Sequence, residues 1–457
     1  MSTSTPSQQA NLVVVANRLP VDRIIGEDGR HSWTTSPGGL VTALVPVMHQ
    51  MGGAWVGWPG IADESVSGFD VDGYRVAPVK LTADEVEGYY EGMSNTTIWP
   101  LYHDCIVNPS FHREWWDAYC AVNHKFARRA ARVAAPGATV WVQDYQLQLV
   151  PQMLRTLRPD LRIGFFLHIP FPPIELFMQL PWRREVIEGL LGADLVGFQV
   201  PGAATNFVNL ARRLTPAHVR GRTIETPGGR VVQAQAYPIS IDAQAQLELS
   251  RSPQTHEAEE QLRESLGHPK TMYLGVDRLD YTKGLRHRLK AFDELFHSGQ
   301  LDPSSVVYLQ LATPSRERVA DYQHLRLDLD TQVGRMVSEI PDIGRNPIQY
   351  RYTSVDKPTL AALYRMADVC VVTPLRDGMN LVAKEYVVAH DSLDGALVLS
   401  EFAGAARELT QAYLVNPYDV EGLKAQLLRA RDDKPAERRR RMRAMRARVR
   451  RHDVAHW

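Results

Sequence analysis

Apolar residues in this chain come in short unbroken runs, with longer stretches of helical periodicity between them. Leu12–Ala16, Thr139–Gln143, Arg162–Leu167 and Asp194–Phe198 each read as a buried strand, being short, rich in β-branched or aromatic residues and bounded by polar turns. A second series follows at Thr271–Val276, Val306–Leu311, Asp368–Thr373 and Gly395–Ser400. Strands without strict in–out alternation, separated by helices, predict α/β domains with parallel sheets covered on both faces. Between the two series, Tyr237-Pro-Ile-Ser-Ile-Asp242 leads into a Gln- and Glu-rich helix, so the chain is expected to pass from one domain to the other near residue 240. The last helical pattern is strongly basic, with nine arginines in the fourteen residues from Arg438 to Arg451. Met442, Met445 and Val449 form an apolar stripe through it, which predicts an amphipathic helix with a solvated basic face rather than a polyanion site. Asp432 and Asp433 just upstream offer that face a local partner.

Composition narrows the class. A chain of 457 residues exceeds one ordinary core, so two domains are expected. A hydrophobic fraction of 44%, a charged fraction of 23% and zero formal net charge describe a soluble globular protein, with nothing global pointing to nucleic acid or membrane. No apolar run approaches the roughly 18 residues of a membrane span, and Met1-Ser-Thr-Ser-Thr-Pro6 lacks an export pattern. Cys105, Cys120 and Cys370 sit in unrelated contexts, which fits reduced thiols and a cytoplasmic location.

The richest chemistry lies where Asp368–Thr373 empties into a loop. That loop offers a carboxylate, Asp377, for hydroxyl groups, and a glycine, Gly378, where backbone can approach a ligand. A helix beginning near Asn380 would aim N–H groups at an anion, and Glu385 follows about one and a half turns later, placed to accept from a diol. Together these describe a nucleotide-sugar site. Gly275-Val-Asp-Arg-Leu-Asp-Tyr-Thr-Lys-Gly284 supplies cations, since Arg278 and Lys283 follow another buried strand and can reach one diphosphate. Negative charge on a departing nucleotide can be stabilised by such side chains and helix N-termini instead of a metal. The acidic triplets at Asp70-Val-Asp72 and Asp328-Leu-Asp330 are short matches, and positions i and i+2 of a helix diverge, so no metal site is expected. In the first half, Asn17-Arg18 ends one strand, and Asp144 and His168 end two others, where parallel sheets usually hold ligands. Ser36-Pro-Gly-Gly-Leu40 opens a helix and loosely resembles a phosphate cradle, while Arg316 follows another strand and could receive a phosphate. GxSxG, HExxH, GxGxxG and a Walker lysine loop are all missing.

These residues sit within a longer ordered series: NRLP, SPGGL, YYEGMSNTTIWP, QDYQL, FFLHIPFP, GFQ, DRLDYTKG, TPSR, TPLRDGMNLVAKEY, SEFAGAA and VNPYD. From about Leu12 to Trp457 the chain resembles the α,α-trehalose-phosphate synthase family of retaining glycosyltransferases. The resemblance implies a GT-B architecture, two Rossmann-like doubly wound domains facing across a cleft, with no required metal or other cofactor. It sets the acceptor-binding domain at 1–240 and the nucleotide-sugar domain at 241–439, with a C-terminal helix of about 440–457 crossing back to the first. By resemblance, Arg278 and Lys283 hold the donor diphosphate, and Asp377 takes glucose hydroxyls. The backbone of Gly378, Met379, Asn380, Leu381 and Val382 cradles sugar and phosphates, and Glu385 takes the ribose. Gly38 and Gly39 form a loop over the donor, and Val355 lies where the family contacts the base. Arg18, Tyr90 and Arg316 are implied to bind the phosphate of glucose 6-phosphate, Asp144 and Trp99 to orient its sugar, and His168 to touch the donor glucose.

The implied reaction passes glucose from a nucleoside diphosphate-glucose (uridine or adenosine) to glucose 6-phosphate with retention, giving α,α-trehalose 6-phosphate. Domain closure is expected to bring Arg18 toward the donor half. Asp144, His168, Arg278, Lys283 and Asp377 are the residues expected nearest the reacting centre. A homo-oligomer is left open. Two other readings stand beside this one: a sister synthase using glycerol 3-phosphate, and a non-catalytic sensor of sugar phosphates. The intact set Arg278, Lys283, Asp377 and Glu385 weighs against the sensor.

Overall fold

The computed structural model describes residues 9–25, 31–36, 51–340 and 346–457, together with 41, 44, 45, 47 and 48. Its contacts divide the chain between Pro238 and Ile239. The first unit contains β1 (Ala10–Arg18), β2 (Val21–Ile25), β3 (His31–Thr35), β4 (Ala54–Trp58), β5 (Phe69–Val71), β6 (Tyr74–Pro78), β7 (Ala134–Gln143), β8 (Arg162–Leu167), β9 (Leu195–Phe198), β10 (His218–Arg220), β11 (Thr223–Glu225) and β12 (Val231–Ala236). Ten of these form one sheet in the order β10-β11-β12-β9-β8-β7-β1-β4-β6-β5, while β2 and β3 pair separately as an antiparallel hairpin. From β12 to β6 every neighbouring pair is parallel, and the pairs at the two edges are antiparallel. Helices cover the parallel core, so Val13, Val14 and Val15 are all buried despite pointing to alternate faces.

The second unit holds β13 (Thr271–Arg278), β14 (Val306–Thr313), β15 (Ile348–Tyr352), β16 (Val369–Val372), β17 (Ala396–Ser400) and β18 (Tyr413–Val415) in an all-parallel sheet ordered β15-β14-β13-β16-β17-β18. The chain winds outward from β13 through β14 to β15, then returns to the other side of β13 at β16. That reversal is a switch point, where the loops leaving the two strands diverge and leave a crevice at their carboxyl ends. The same reversal occurs in the first unit between β1 and β7. All eight strands expected from the apolar runs exist, with ends shifted by a few residues. The other ten strands, β2 to β6, β10 to β12, β15 and β18, were not anticipated.

The basic helix Pro435–Arg451 buries Met442, Met445 and Val449, as the stripe predicts. A C-terminal helix of about 440–457 was expected to cross back to the first domain. The contacts of these residues group them with the second unit, where the helix packs on Leu381–Ala389, Ala243–Ser250 and β17. Asp432 and Asp433 do not partner the tail: they pair with Arg431 and Arg429 of the preceding helix. Within the tail, Arg440 and Arg441 both pair with Glu437. Asp328 and Asp330 lie in the helix Ala320–Ser338, each beside an arginine, Arg286 and Arg326.

A buried ion pair sits directly under the switch point of the second unit. Arg288, on the helix Leu285–His297, is fully buried and donates to Asp277 at 2.7 Å, to Gln310 Oε1 at 2.8 Å, to Thr373 Oγ1 at 3.0 Å and to the Lys283 carbonyl at 3.3 Å. Burial works against the guanidinium charge, and Asp277 and Tyr308 more than offset it. Removing one member of such a pair leaves an uncompensated buried charge. Arg288→Ala is therefore expected to destabilise the second unit by about 3–5 kcal/mol, read as a lowered urea midpoint; an unchanged midpoint would show that Asp277 finds water or another partner.

Candidate active site

In the second unit, two loops leave β13 and β16 side by side. The β13 loop makes a single 3₁₀ turn, Tyr281–Lys283, capped by Asp280, whose Oδ1 accepts from the Thr282 amide at 3.0 Å. Gly284 closes it with φ of 69°, and a Cβ there would strike the Thr373 carbonyl. The Leu375 amide donates to the Thr282 carbonyl at 2.7 Å, stitching the two loops. Lys283 and Asp377 meet at that seam, with Nζ 2.6 Å from Oδ2. Both side chains are largely buried. A cation suited to phosphate and a carboxylate suited to sugar hydroxyls therefore sit in direct contact, 94 residues apart in sequence.

Asn380 turns this seam into a helix start. Its backbone takes a positive φ of 90°, uncommon for a residue with a side chain. Its Oδ1 accepts from the Ala383 amide at 3.2 Å, capping the helix Leu381–Ala389, while Nδ2 donates to Asp377 Oδ2 at 3.2 Å. Gly378 and Met379 are buried, Leu381 and Val382 half-buried in the first helical turn. The loop is held from behind by residues 402–405. Asp377 and Ala403 form a parallel bridge, the Gly404 amide donates to the Asp377 carbonyl at 3.2 Å, and the Ala405 amide donates to Met379 at 2.9 Å. A Cβ on Gly404 would collide with the Gly378 carbonyl, so only glycine permits this approach.

Glu385 lies further along the same helix and accepts from the Tyr364 hydroxyl at 2.8 Å. Burial raises its pKa above the ordinary carboxylate value, against the opposing effects of Tyr364 and Lys357. Val355 is half-buried in the loop after β15, just before Asp356 caps the helix Lys357–Met366 that carries Tyr364. Arg278 ends β13 with an exposed side chain. Arg316 has a side chain only 4% exposed, paired with Asp280 at 2.9 Å.

In the first unit, the expected residues gather at the carboxyl ends of β1, β4, β7 and β8. Arg18 is the last residue of β1 and spreads over Trp58, the last of β4, with its guanidinium carbon 5.2 Å from the ring centroid. It also pairs with Asp22 at 3.0 Å. Gly60 lies beneath it, and a Cβ there would overlap the guanidinium. Tyr90 approaches Trp58 with ring centroids 6.1 Å apart. Tyr90 projects from a π-helix, Val86–Ile98, in which Ser94 and Thr96 hydroxyls donate to carbonyls five residues back. The flanking Tyr89 hydroxyl donates to Asn17 Oδ1, and the Tyr145 hydroxyl donates to Asn95 Oδ1, each at 2.8 Å. The π-helix is thereby fixed to the segments ending β1 and following β7. Trp99 is buried against His103 and Tyr145.

Asp144 directly follows β7 with φ of 72°, and its Oδ1 accepts from the His168 amide at 3.1 Å. His168 Nε2 lies 2.9 Å from Gln143 Oε1. Burial lowers the imidazole pKa to about 3, so His168 is neutral near pH 7. Gly38 and Gly39 lie outside the described residues.

Trp58, Gly60, Asp280, Arg288, Tyr364 and Gly404 belong to these sites and were not expected from the sequence. DRLDYTKG and SEFAGAA carried two of the signals, as ordered motifs that contain Asp280 and Gly404. Nothing local distinguishes Arg288 or Tyr364 from any helical arginine or tyrosine. One group of metal-capable side chains occurs among the described residues, Asp293, His297 and Glu339, away from these loops and shared with Arg335.

Comparison with known proteins places this geometry. The family model described as glycosyltransferase family 20 matches residues 10–457. A trehalose-6-phosphate synthase of Mycolicibacterium gilvum is 54% identical over 470 residues, covering 100% of this chain and 93% of that protein. One from Mycobacterium avium is 56% identical over 460 residues, covering 98% and 94%. Among solved structures, a UDP-forming α,α-trehalose-phosphate synthase from Burkholderia xenovorans in complex with glucose-6-phosphate is similar with a TM-score of 0.89 and 35% identity, covering 98% of both chains. An Escherichia coli protein bound with UDP-2-fluoro glucose is similar with a TM-score of 0.89 and 34% identity, covering 98% of this chain and 96% of that one. With a family match spanning nearly its whole length and relatives more than half identical throughout, the chain belongs to glycosyltransferase family 20.

Proposed function

We propose that this chain is a retaining glucosyltransferase that moves glucose from a nucleoside diphosphate-glucose to the anomeric hydroxyl of glucose 6-phosphate, forming α,α-trehalose 6-phosphate. The observation that carries this reading is the Lys283–Asp377 pair at a capped helix start in a switch-point crevice. Relatives that bear the synthase name, and similar structures holding glucose-6-phosphate or a UDP-sugar, support it. Uridine and adenosine donors both remain within the proposal.

In this reading the donor diphosphate lies by Arg278 and Lys283 and the first turn of Leu381–Ala389, with glucose hydroxyls on Asp377 and His168 and ribose on Glu385. The backbone from Gly378 to Val382 lines the donor, Gly38 and Gly39 are assigned to it as well, and Val355 borders the base. Arg18, Tyr90 and Arg316 take the acceptor phosphate, and Trp99 and Asp144 orient its sugar. The acceptor anomeric oxygen bonds to C1 of the donor glucose as the bond from C1 to the phosphate oxygen breaks. The departing phosphate oxygen takes the acceptor proton on the same face, which keeps the α configuration. Arg278 and Lys283 offset the charge that accumulates on the leaving diphosphate. His168, being neutral, contributes hydrogen bonding without adding a charge.

Replacing Arg278 or Lys283 with Ala is expected to lower kcat by about 10²–10³-fold with unchanged circular dichroism; wild-type turnover in both variants would remove them from the mechanism. A coupled assay of nucleotide release should show turnover with glucose 6-phosphate and none with glycerol 3-phosphate. It should keep its rate in EDTA, and a uridine, adenosine and guanosine donor panel identifies the base. A His pKa held below its unfolded value stabilises the fold fully above about pH 6.5, and that contribution is lost as pH falls toward the folded value of about 3. His168→Gln should therefore keep the shape of the wild-type kcat/KM profile from pH 5 to 8. A limb near pH 6.5 that disappears in the variant would mean that the imidazole titrates during turnover.

A further inference from the structure

Asp280 lies between cations assigned to different substrates. It is fully buried, two residues after Arg278 and three before Lys283. Its Oδ1 accepts from the Thr282 amide at 3.0 Å, and its backbone carbonyl accepts from the Lys283 amide at 3.1 Å, so it shapes the turn that presents Lys283. Its Oδ2 accepts from Arg316 Nη1 at 2.9 Å and from the Tyr322 hydroxyl at 3.1 Å. Arg316 itself follows β14 in a left-handed conformation, φ 49°, with its guanidinium carbon 5.3 Å from the Tyr322 ring centroid. The Leu279 amide donates to the Thr313 carbonyl at 2.8 Å, which keeps the ends of β13 and β14 in register just before both cationic segments.

We infer that Asp280 is a positioning residue shared by the two substrate sites, holding Lys283 and Arg278 for the donor diphosphate and Arg316 for the acceptor phosphate. The inference rests on the roles proposed above for those three cations. Guanidinium and ammonium groups crowded at one sheet edge repel one another, and a buried carboxylate among them lowers that cost while fixing where each points. The electrostatics agree. Burial would raise the Asp280 pKa, yet Arg316, Arg278 and Lys283 together with the Thr282 amide hold it below the ordinary value, so the carboxylate is ionised. Asp280 needs no contact with either substrate to act on both. Its charge acts on all three cations, and its Oδ1 contact with the Thr282 amide adds the shape of the turn that presents Lys283.

The test is steady-state kinetics of the full chain with both substrates varied, comparing Asp280→Asn and Tyr322→Phe with Arg278→Ala and Arg316→Ala. Asparagine retains the shape and an acceptor for the turn but removes the charge. Asp280→Asn is expected to raise both the donor KM and the glucose 6-phosphate KM, each by roughly tenfold. Tyr322→Phe removes the hydroxyl that donates to Asp280 Oδ2 and accepts from Arg316 Nη1 while leaving the Thr282 turn in place; it should raise the glucose 6-phosphate KM several-fold (roughly, by one neutral hydrogen bond) and leave the donor KM unchanged. A folded Asp280→Asn variant with either KM within about twofold of wild type overturns the shared role. Should that variant fail to fold, Tyr322→Phe decides: a rise confined to the glucose 6-phosphate KM supports the proposal, and no change overturns it. If Arg278→Ala leaves both kcat and the donor KM unaltered and Arg316→Ala leaves the glucose 6-phosphate KM unaltered, the assignment of the cations fails first and the role of Asp280 falls with it.

Discussion

The close contact between Lys283 and Asp377 is the constraint around which the second unit is arranged. No chain segment joins their loops directly; each leaves a different central strand and runs into its own helix. The separation of the loops is set by the parallel pairing of β13 with β16 and by Arg288, which bonds to the side chain of Thr373 and to the backbone of Lys283 from below. Gly284 and Gly404 let neighbouring backbone come close enough to brace the same loops. A buried ion pair is costly to desolvate, and its use here is geometric: planar guanidinium donors fix several partners at once.

The two units carry different chemistry on parallel cores of the same strand order. In the second, the switch-point crevice is rich in charge, with arginines and a lysine balanced by Asp277, Asp280 and Asp377. In the first, the corresponding strand ends carry mostly neutral donors and acceptors, with tyrosine, asparagine and glutamine side chains bonded to each other, His168 held neutral, and Arg18 at the end of β1. Neutral hydrogen-bonding groups suit sugar hydroxyls, and fixed cationic groups suit phosphates. The π-helix belongs to this arrangement: its consecutive tyrosines point apart, Tyr89 bonding Asn17 while Tyr90 faces Trp58.

Much of this was legible in the chain. Strands buried on both faces must be apolar throughout, so β1, β7, β8, β13, β14, β16 and β17 stand out as runs. Ligand loops at their carboxyl ends must carry polar residues in register with those runs, which made Arg18, Asp144, His168, Arg278, Lys283 and Asp377 visible by position. The amphipathic stripe of the last helix was readable for the same reason. β6 escaped notice because Arg75 interrupts its apolar run.

The sequence by itself determined the succession of strands and helices and which loop residues could meet a ligand, since both follow from local period and turn chemistry. Only the tertiary structure decided which of those residues touch. The Lys283–Asp377 and Arg316–Asp280 pairs, the glycines under Arg18 and behind Gly378, and the burial of Arg288 all depend on strand order. The last helix grouped with the second unit for a similar reason, because a stripe of methionines specifies burial without naming its partner. Strand order is set by how the whole sheet packs, and a linear pattern of polar and apolar residues carries no record of it.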